Sequence, residues 1–166
     1  MSVDGIKRRP IIGVMGGGEG DSRTLEMAAE LGALIAARDW VLLNGGRNAG
    51  VMAPSTRGAA EAGGLTVGIL PDSDVAGAAP HIHIPIPTGM GSARNHINVL
   101  AAEVVIACPG GPGTISEVAL ALKSAKPVIC LGWDPGPLFE SFRSGGLLQT
   151  AAAPEEAVLL AASRLS

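Results

Sequence analysis

A carboxylate and a guanidinium stand in the two places of this sequence best suited to chemistry. Glu117 follows the glycine loop of IACPGGPGTISEVALALK (106–123), and Arg94 lies near the end of another, TGMGSARN (88–95). Behind such a loop a carboxylate can cap a helix, stabilise developing positive charge, activate water or contact a bound ligand. A guanidinium brings permanent charge and a planar fork that matches phosphate or carboxylate. Two more glycine loops, MGGGEGDSR (15–23) and NGGRNAGVM (44–52), carry Arg23 and Arg47. Glycine lets main-chain N–H groups approach an anion closely, and a helix N-terminus adds about half a positive charge. Together the four loops imply capture of an anionic, phosphorylated small molecule. The candidate holders are Gly16, Gly17, Gly18 and Arg23; Gly45, Gly46 and Arg47; Gly89, Ser92 and Arg94; and Gly110, Gly111, Gly113, Thr114 and Glu117.

These residues also have plainer readings. Glycines at strand–helix junctions make tight turns, and Thr114-Ile115-Ser116-Glu117 has the T-x-x-E pattern of a capping box. Arg94 in the first turn of a helix is mildly disfavoured by the dipole, which favours an anion-binding role over a merely solvated one. His81 and His83 fall on one strand face, but no nearby Asp, Glu or Cys completes a ligand set, so no metal site is expected. His96 reads as a surface histidine, Cys108 as a buried strand residue, and Asp72 and Asp74 as turn formers. Glycines at 13, 16, 17 and 18 miss the G-x-G-x-x-G spacing, and no G-x-x-x-x-G-K-[ST] sequence occurs. Readings as an NAD-dependent enzyme or a P-loop NTPase therefore have little support.

The rest of the chain must position these groups. Its 166 residues are 47% hydrophobic and 16% charged, which makes a sizeable single core easy to build. A net charge of −3 argues against a protein that coats nucleic acid, and two Trp, two Phe and no Tyr offer no stacking platform for single strands. Cys108 and Cys130 lie inside apolar runs, as suits buried thiols in a reducing compartment, so a cytoplasmic location is expected. The opening MSVDGIKRRP has basic residues without an apolar core of signal-peptide length behind them. The charge-free run 75–93 is broken by Pro80, Pro85, Pro87 and three glycines, which is not a membrane span.

Short apolar runs at 10–15, 40–44, 65–70, 81–86, 103–108 and 127–132 read as strands, several of them continuously hydrophobic like central strands of a parallel sheet. Helical patterns fill 22–38, 51–62, 92–101 and 114–125, and a last helix is expected at 154–165, starting on Pro154. Segment 134–146 reads as irregular. The alternation predicts one α/β domain over residues 1–166, a Rossmann-like doubly wound parallel sheet with its ligand at the carboxyl ends of the strands.

The loop PGGPGTISE (109–117) is similar to the PGGxGTxxE motif of the family once widely labelled lysine decarboxylase, which includes the Lonely Guy cytokinin-activating phosphoribohydrolases. Arg94 stands fifteen residues before Pro109, where that family has the arginine of an RK pair, and LLNGGRNAGVM (42–52) resembles its second glycine loop. This resemblance implies Arg94 and Glu117 as catalytic residues at the N-glycosidic bond of a nucleoside 5′-monophosphate. Asn95, however, replaces the lysine of the pair. GMGSARNHINVLAAEVVIA, KRRPIIGVMGGG, EAGGLTVGILP and EVALALKSAKPVICLG resemble instead the molybdenum cofactor carrier branch of the same superfamily, over roughly residues 8–132. That branch implies a homo-oligomer, dimer or tetramer, that binds the molybdopterin-based cofactor and protects it before insertion into an acceptor molybdoenzyme. A phosphate monoester and an anionic metal–dithiolene end suit four glycine loops and three arginines. The expected function is accordingly binding, storage and carriage of this cofactor, with the phosphoribohydrolase as the alternative. Low aromatic content leaves neither pterin nor purine an obvious stacking partner.

Overall fold

A computed structural model describes residues 8–165; the first seven residues, part of the opening segment read against a signal peptide, and Ser166 lie outside the described residues. Seven strands form one parallel sheet: β1 (Ile11–Met15), β2 (Val41–Asn44), β3 (Thr66–Leu70), β4 (Ile84–Pro87), β5 (Val104–Ala107), β6 (Val128–Leu131) and β7 (Leu148–Ala151). Their order is β4-β3-β2-β1-β5-β6-β7. The helices are α1 (Ser22–Ala37), α2 (Met52–Glu61), α3 (Asn95–Ala101), α4 (Pro112–Lys123), α5 (Glu140–Ser144) and α6 (Pro154–Leu165). This is the Rossmann-like α/β domain expected from the sequence.

Burial on both faces explains the continuous apolar runs. Ile12, Val14, Ile106, Ile129 and Leu131 pack against α1, α2 and α6 through residues such as Leu31, Ile35 and Ala157. Met15, Val105, Ala107, Val128 and Cys130 point the other way, towards Val99 of α3, Val118 and Leu122 of α4, and Phe142 of α5. In α1 the buried positions Ala28, Leu31, Gly32 and Ile35 recur at helical spacing. A Cβ on Gly32 would strike the carbonyl oxygen of Ser55, and one on Gly58 that of Ala29, so the two glycines let α1 and α2 approach backbone to backbone. The first helix ends before Asp39, which takes up a left-handed φ of 58°.

The sequence reading departs from the fold in three places. Segment 134–146 is not irregular: it holds a 3-10 turn (Pro137–Phe139) and α5, and it leads into a seventh strand paired with β6. His81 and His83 precede β4 rather than lying on it, and the His83 Nδ1 sits 2.7 Å from Thr66 Oγ1. Helix α4 begins at Pro112 with Gly111 as its cap and no side-chain cap hydrogen bond. Thr114 is therefore its third residue, and the capping box does not form, because proline is already suited to the first helical position.

Candidate functional site

Strand order reverses between β1 and β5, where the chain returns from β4 to the middle of the sheet. A crevice opens there beyond the carboxyl ends of the strands. Three of its loops are joined by the main chain: Gly17 N donates to Pro109 O at 3.0 Å, and Val51 N donates to Gly17 O at 3.0 Å. A Cβ on Gly50, which has a φ of +49°, would collide with that same Gly17 oxygen. Buried Asn44 anchors the β2–α2 loop. Its Oδ1 accepts from Gly46 N at 2.8 Å, and its amide donates to Met52 O and to the hydroxyls of Ser55 and Thr56.

The crevice holds a cavity of about 640 Å³. Its wall includes Gly16, Gly17, Gly18, Gly45, Arg47, Ser92, Arg94, Gly111, Gly113, Thr114 and Glu117, all candidates from the sequence, brought together from all four loops. Nothing stands within 4 Å of where a Cβ would project from Gly18, Gly91, Gly111 or Gly113, so bare main chain faces open space at these positions. The wall does not include Arg23, Gly46, Gly89 or Gly110. Arg23 is exposed on the first turn of α1. Gly46 packs on Gly68 with a φ of +75°, Gly89 turns beside Ser73 with a φ of +64°, and Gly110 lies against the Thr114 hydroxyl and Gly17 N.

The helix ends differ in what they offer an anion. At α1 the Asp21 side chain accepts from Thr24 N at 2.8 Å, and the bonds from Thr24 hold its carboxyl below the usual range. That end already has its negative charge. Helices α2 and α4 have no side-chain cap, and residues of both line the cavity. At α2 the N–H groups of Met52 and Ala53 already donate to Ala49 O and Pro54 has none, so anion attraction concentrates on the α4 side of the crevice.

Arg94 and Glu117 meet on this side. Arg94 is half-buried and makes no ion pair or side-chain hydrogen bond among the described residues, and its Nε is sealed from solvent without a partner. Burial holds its guanidinium below its ordinary value, opposed by the nearby Glu117 carboxylate. A Cβ on Gly45 would stand 2.5 Å from Arg94 Nη1 and 2.8 Å from Met52 Sδ, so the guanidinium occupies space left by a missing side chain. Glu117 is 7% exposed. Burial pushes its carboxyl from an ordinary 4.5 up to about 7, against the lowering effects of the Asn98 amide and of Arg94. Asn98 Nδ2 donates to Glu117 Oε1 at 3.0 Å. Asn95, in the place of the family's lysine, donates to Ser116 Oγ at 3.1 Å and ties α3 to α4.

Sequence reasoning missed Asn44 and Asn98, which shape the site from behind the wall, and the contribution of Asp72. Asp72 lines the cavity and lies 3.5 Å from Arg47 in a loose, half-exposed ion pair. Asp74 does make the expected turn, accepting from Ala76 N at 2.9 Å. The available signal for Asn98 was its spacing, one helical turn after Arg94. Cys108 is fully buried and its thiol is pushed up to about 12 by burial, so it is no nucleophile at neutral pH. Among the described residues no group of three or more His, Cys, Asp or Glu is placed to hold a metal ion, and no helix is long and apolar enough to cross a membrane.

Residues 9–158 match the SLOG cluster4 family (LDcluster4). A molybdenum cofactor binding protein from the phototrophic bacterium Rippkaea orientalis is 47% identical, with a TM-score of 0.88 over 96% of this chain and 99% of that one. The molybdenum cofactor carrier protein of Chlamydomonas reinhardtii is 44% identical, with a TM-score of 0.86 over 95% and 99% of the two chains. A cytokinin riboside 5′-monophosphate phosphoribohydrolase of Mycobacterium tuberculosis is 35% identical over 136 residues, covering 76% of this chain and 72% of the relative.

Proposed function

The chain belongs to the SLOG cluster4 family, and within it we propose that this protein binds, stores and carries molybdenum cofactor. The observation that carries the reading is the unpaired, half-buried Arg94 guanidinium, which lines the cavity in space left open by Gly45. The cofactor brings a phosphate monoester and an anionic metal–dithiolene end. Arg94 and Arg47 supply charge, and the uncapped start of α4 supplies N–H donors. Met15, Met52 and Pro112 give the cavity apolar surface where no aromatic ring is present. Thioether and proline surfaces can take a flat ring without stacking on it.

The test is anaerobic. Purified protein is expected to retain cofactor released from a molybdoenzyme and to restore activity to an apo-molybdoenzyme. No retention, measured as the oxidised fluorescent pterin after gel filtration, overturns the reading. Gly45→Ala is expected to weaken retention at least tenfold, because a charged hydrogen bond contributes about 1.5–3 kcal/mol and the new methyl displaces the guanidinium that would make it. Equal affinity of the variant and the wild type would remove Arg94 from the site.

The proposal extends to an acceptor molybdoenzyme, a cytoplasmic location and a homo-oligomer. The free, buried Cys108 and Cys130 support a reducing compartment. Register places Ile84 and Ile86 beside Val67 and Ile69, yet the two isoleucines are 43% and 41% exposed on edge strand β4, an apolar margin that a second copy would cover. Sedimentation of the full chain tests this.

One observation favours a second reading: a carboxyl raised to about 7 beside an arginine is also suited to acid–base work on a nucleoside 5′-monophosphate. In that case Arg94 and Glu117 are catalytic. Release of free base and ribose 5-phosphate from AMP or a cytokinin riboside monophosphate, lost in Glu117→Gln, would establish it.

A further inference from the structure

Asn98 is fully buried in α3, does not line the cavity, and has no part in the anion-holding set. Its amide nonetheless reaches Glu117, the carboxyl that α4 contributes to the cavity wall. Nδ2 donates to Glu117 Oε1 at 3.0 Å, while Asn98 Oδ1 is sealed from solvent with no partner. Glu117 Oε2 has no partner among the described residues either, yet it is not among the atoms sealed from solvent. The two carboxyl oxygens are therefore unequal: one is fixed from behind by an amide N–H, and the other is left to the cavity.

We propose that Asn98 is a positioning residue that fixes Glu117 so that Oε2 presents a proton to the bound anion. An oxygen that already accepts an amide N–H is the poorer seat for a proton, so the acid hydrogen goes to the opposite oxygen. A neutral carboxyl in that orientation donates to a phosphate-type oxygen, whereas a carboxylate would repel it. The inference rests on the anion-holding reading of the cavity and adds the form in which Glu117 contributes to it. The charged groups that act on Glu117 and its partner come from three elements. Arg94 precedes α3, Arg47 follows β2, and Asp72 follows β3; Arg94 acts on Glu117, while Arg47 and Asp72 act through Arg94. Burial favours the neutral carboxyl at and below neutral pH, against the Asn98 N–H and the Arg94 charge, which favour the ionised form.

Two measurements on the full chain test this. The first needs no ligand: the side-chain carboxyl carbon of Glu117 is followed by NMR from pH 5 to 9. Asn98→Leu is expected to raise the titration midpoint by at least about half a unit, since an amide bonded to the charged form favours that form. An unchanged midpoint overturns the positioning role whatever the protein carries. The second uses sulfate, which keeps its charge throughout this range. Wild-type affinity is expected to fall about tenfold from pH 6 to 8.5. Glu117→Gln, whose amide accepts from Asn98 and donates into the cavity, is expected to hold the pH 6 affinity across the range. A flat wild-type profile, no sulfate binding at pH 6, or loss of binding in Glu117→Gln overturns the donor role. Failure to retain molybdenum cofactor with both measurements as expected would overturn only the carrier reading.

Discussion

Arg94→Ala is expected to weaken molybdenum cofactor binding by about 10- to 100-fold, the largest loss of any single loop residue, because it removes a charge-assisted contact made from a partly desolvated position. The guanidinium has no partner within the described protein to satisfy in place of the ligand, and its Nε has already lost water. Its hydration has thus been given up in part before any ligand arrives. Arg94→Lys should recover only part of the loss, since an ammonium keeps the charge and forfeits the planar fork. Arg23→Ala should change affinity by less than about twofold, because Arg23 is exposed on α1 outside the cavity wall, where an exposed charge is largely screened. Cofactor titration by fluorescence quenching at fixed ionic strength compares the variants. Equal losses for Arg23→Ala and Arg94→Ala would mean that long-range charge, rather than the shaped crevice, controls binding.

The second large effect is on stability. Glu117→Gln is expected to make the folded protein more stable by about 3 kcal/mol at pH 8 and by nearly nothing at pH 4. In the unfolded chain Glu117 loses its proton near 4.5, whereas in the folded protein it keeps it up to about 7. Between these values the native state binds the extra proton, so stability falls as pH rises from about 4.5 to 7 and then levels off. Glutamine keeps the acceptor for Asn98 and has no charge to bury. Urea denaturation of both proteins at pH 4, 6 and 8 reads the difference directly. A difference independent of pH would show that Glu117 is not protonated by burial.

Much of this site was legible in the sequence because glycine loops and arginines announce themselves by type and spacing. The loops at 15–23, 44–52, 88–95 and 109–114 do converge, and most of their candidate residues share one wall. What was not legible depends on tertiary packing. Arg23 sits in a glycine loop like the other two arginines, but Asp21 caps the same helix end and the side chain stays outside the wall. Thr114 and Glu117 have the spacing of a capping box, yet Pro112 starts the helix two residues earlier and turns Glu117 into an interior position. Strand β7 was missed because LQTA is four residues long with only its ends buried, which resembles no strand period. Asn44 and Asn98 carry no motif. Their importance lies in the partners that folding brings to them, from residues eight to twelve positions away for Asn44 and nineteen for Asn98.

The double role of Gly17 has a kinetic consequence. Its N–H is held by Pro109 and its carbonyl by Val51, so the β1, β2 and β5 loops share one residue as a common fastener. None of the three can swing away alone without breaking a main-chain hydrogen bond. Such a crevice is already in its receiving shape, and association carries little ordering cost. Capture then proceeds at the rate of encounter, and differences among cargoes are expressed as differences in residence time. Under the proposed carrier reading, the timing of release is thereby set by the contacts to the cargo, not by the opening of a lid.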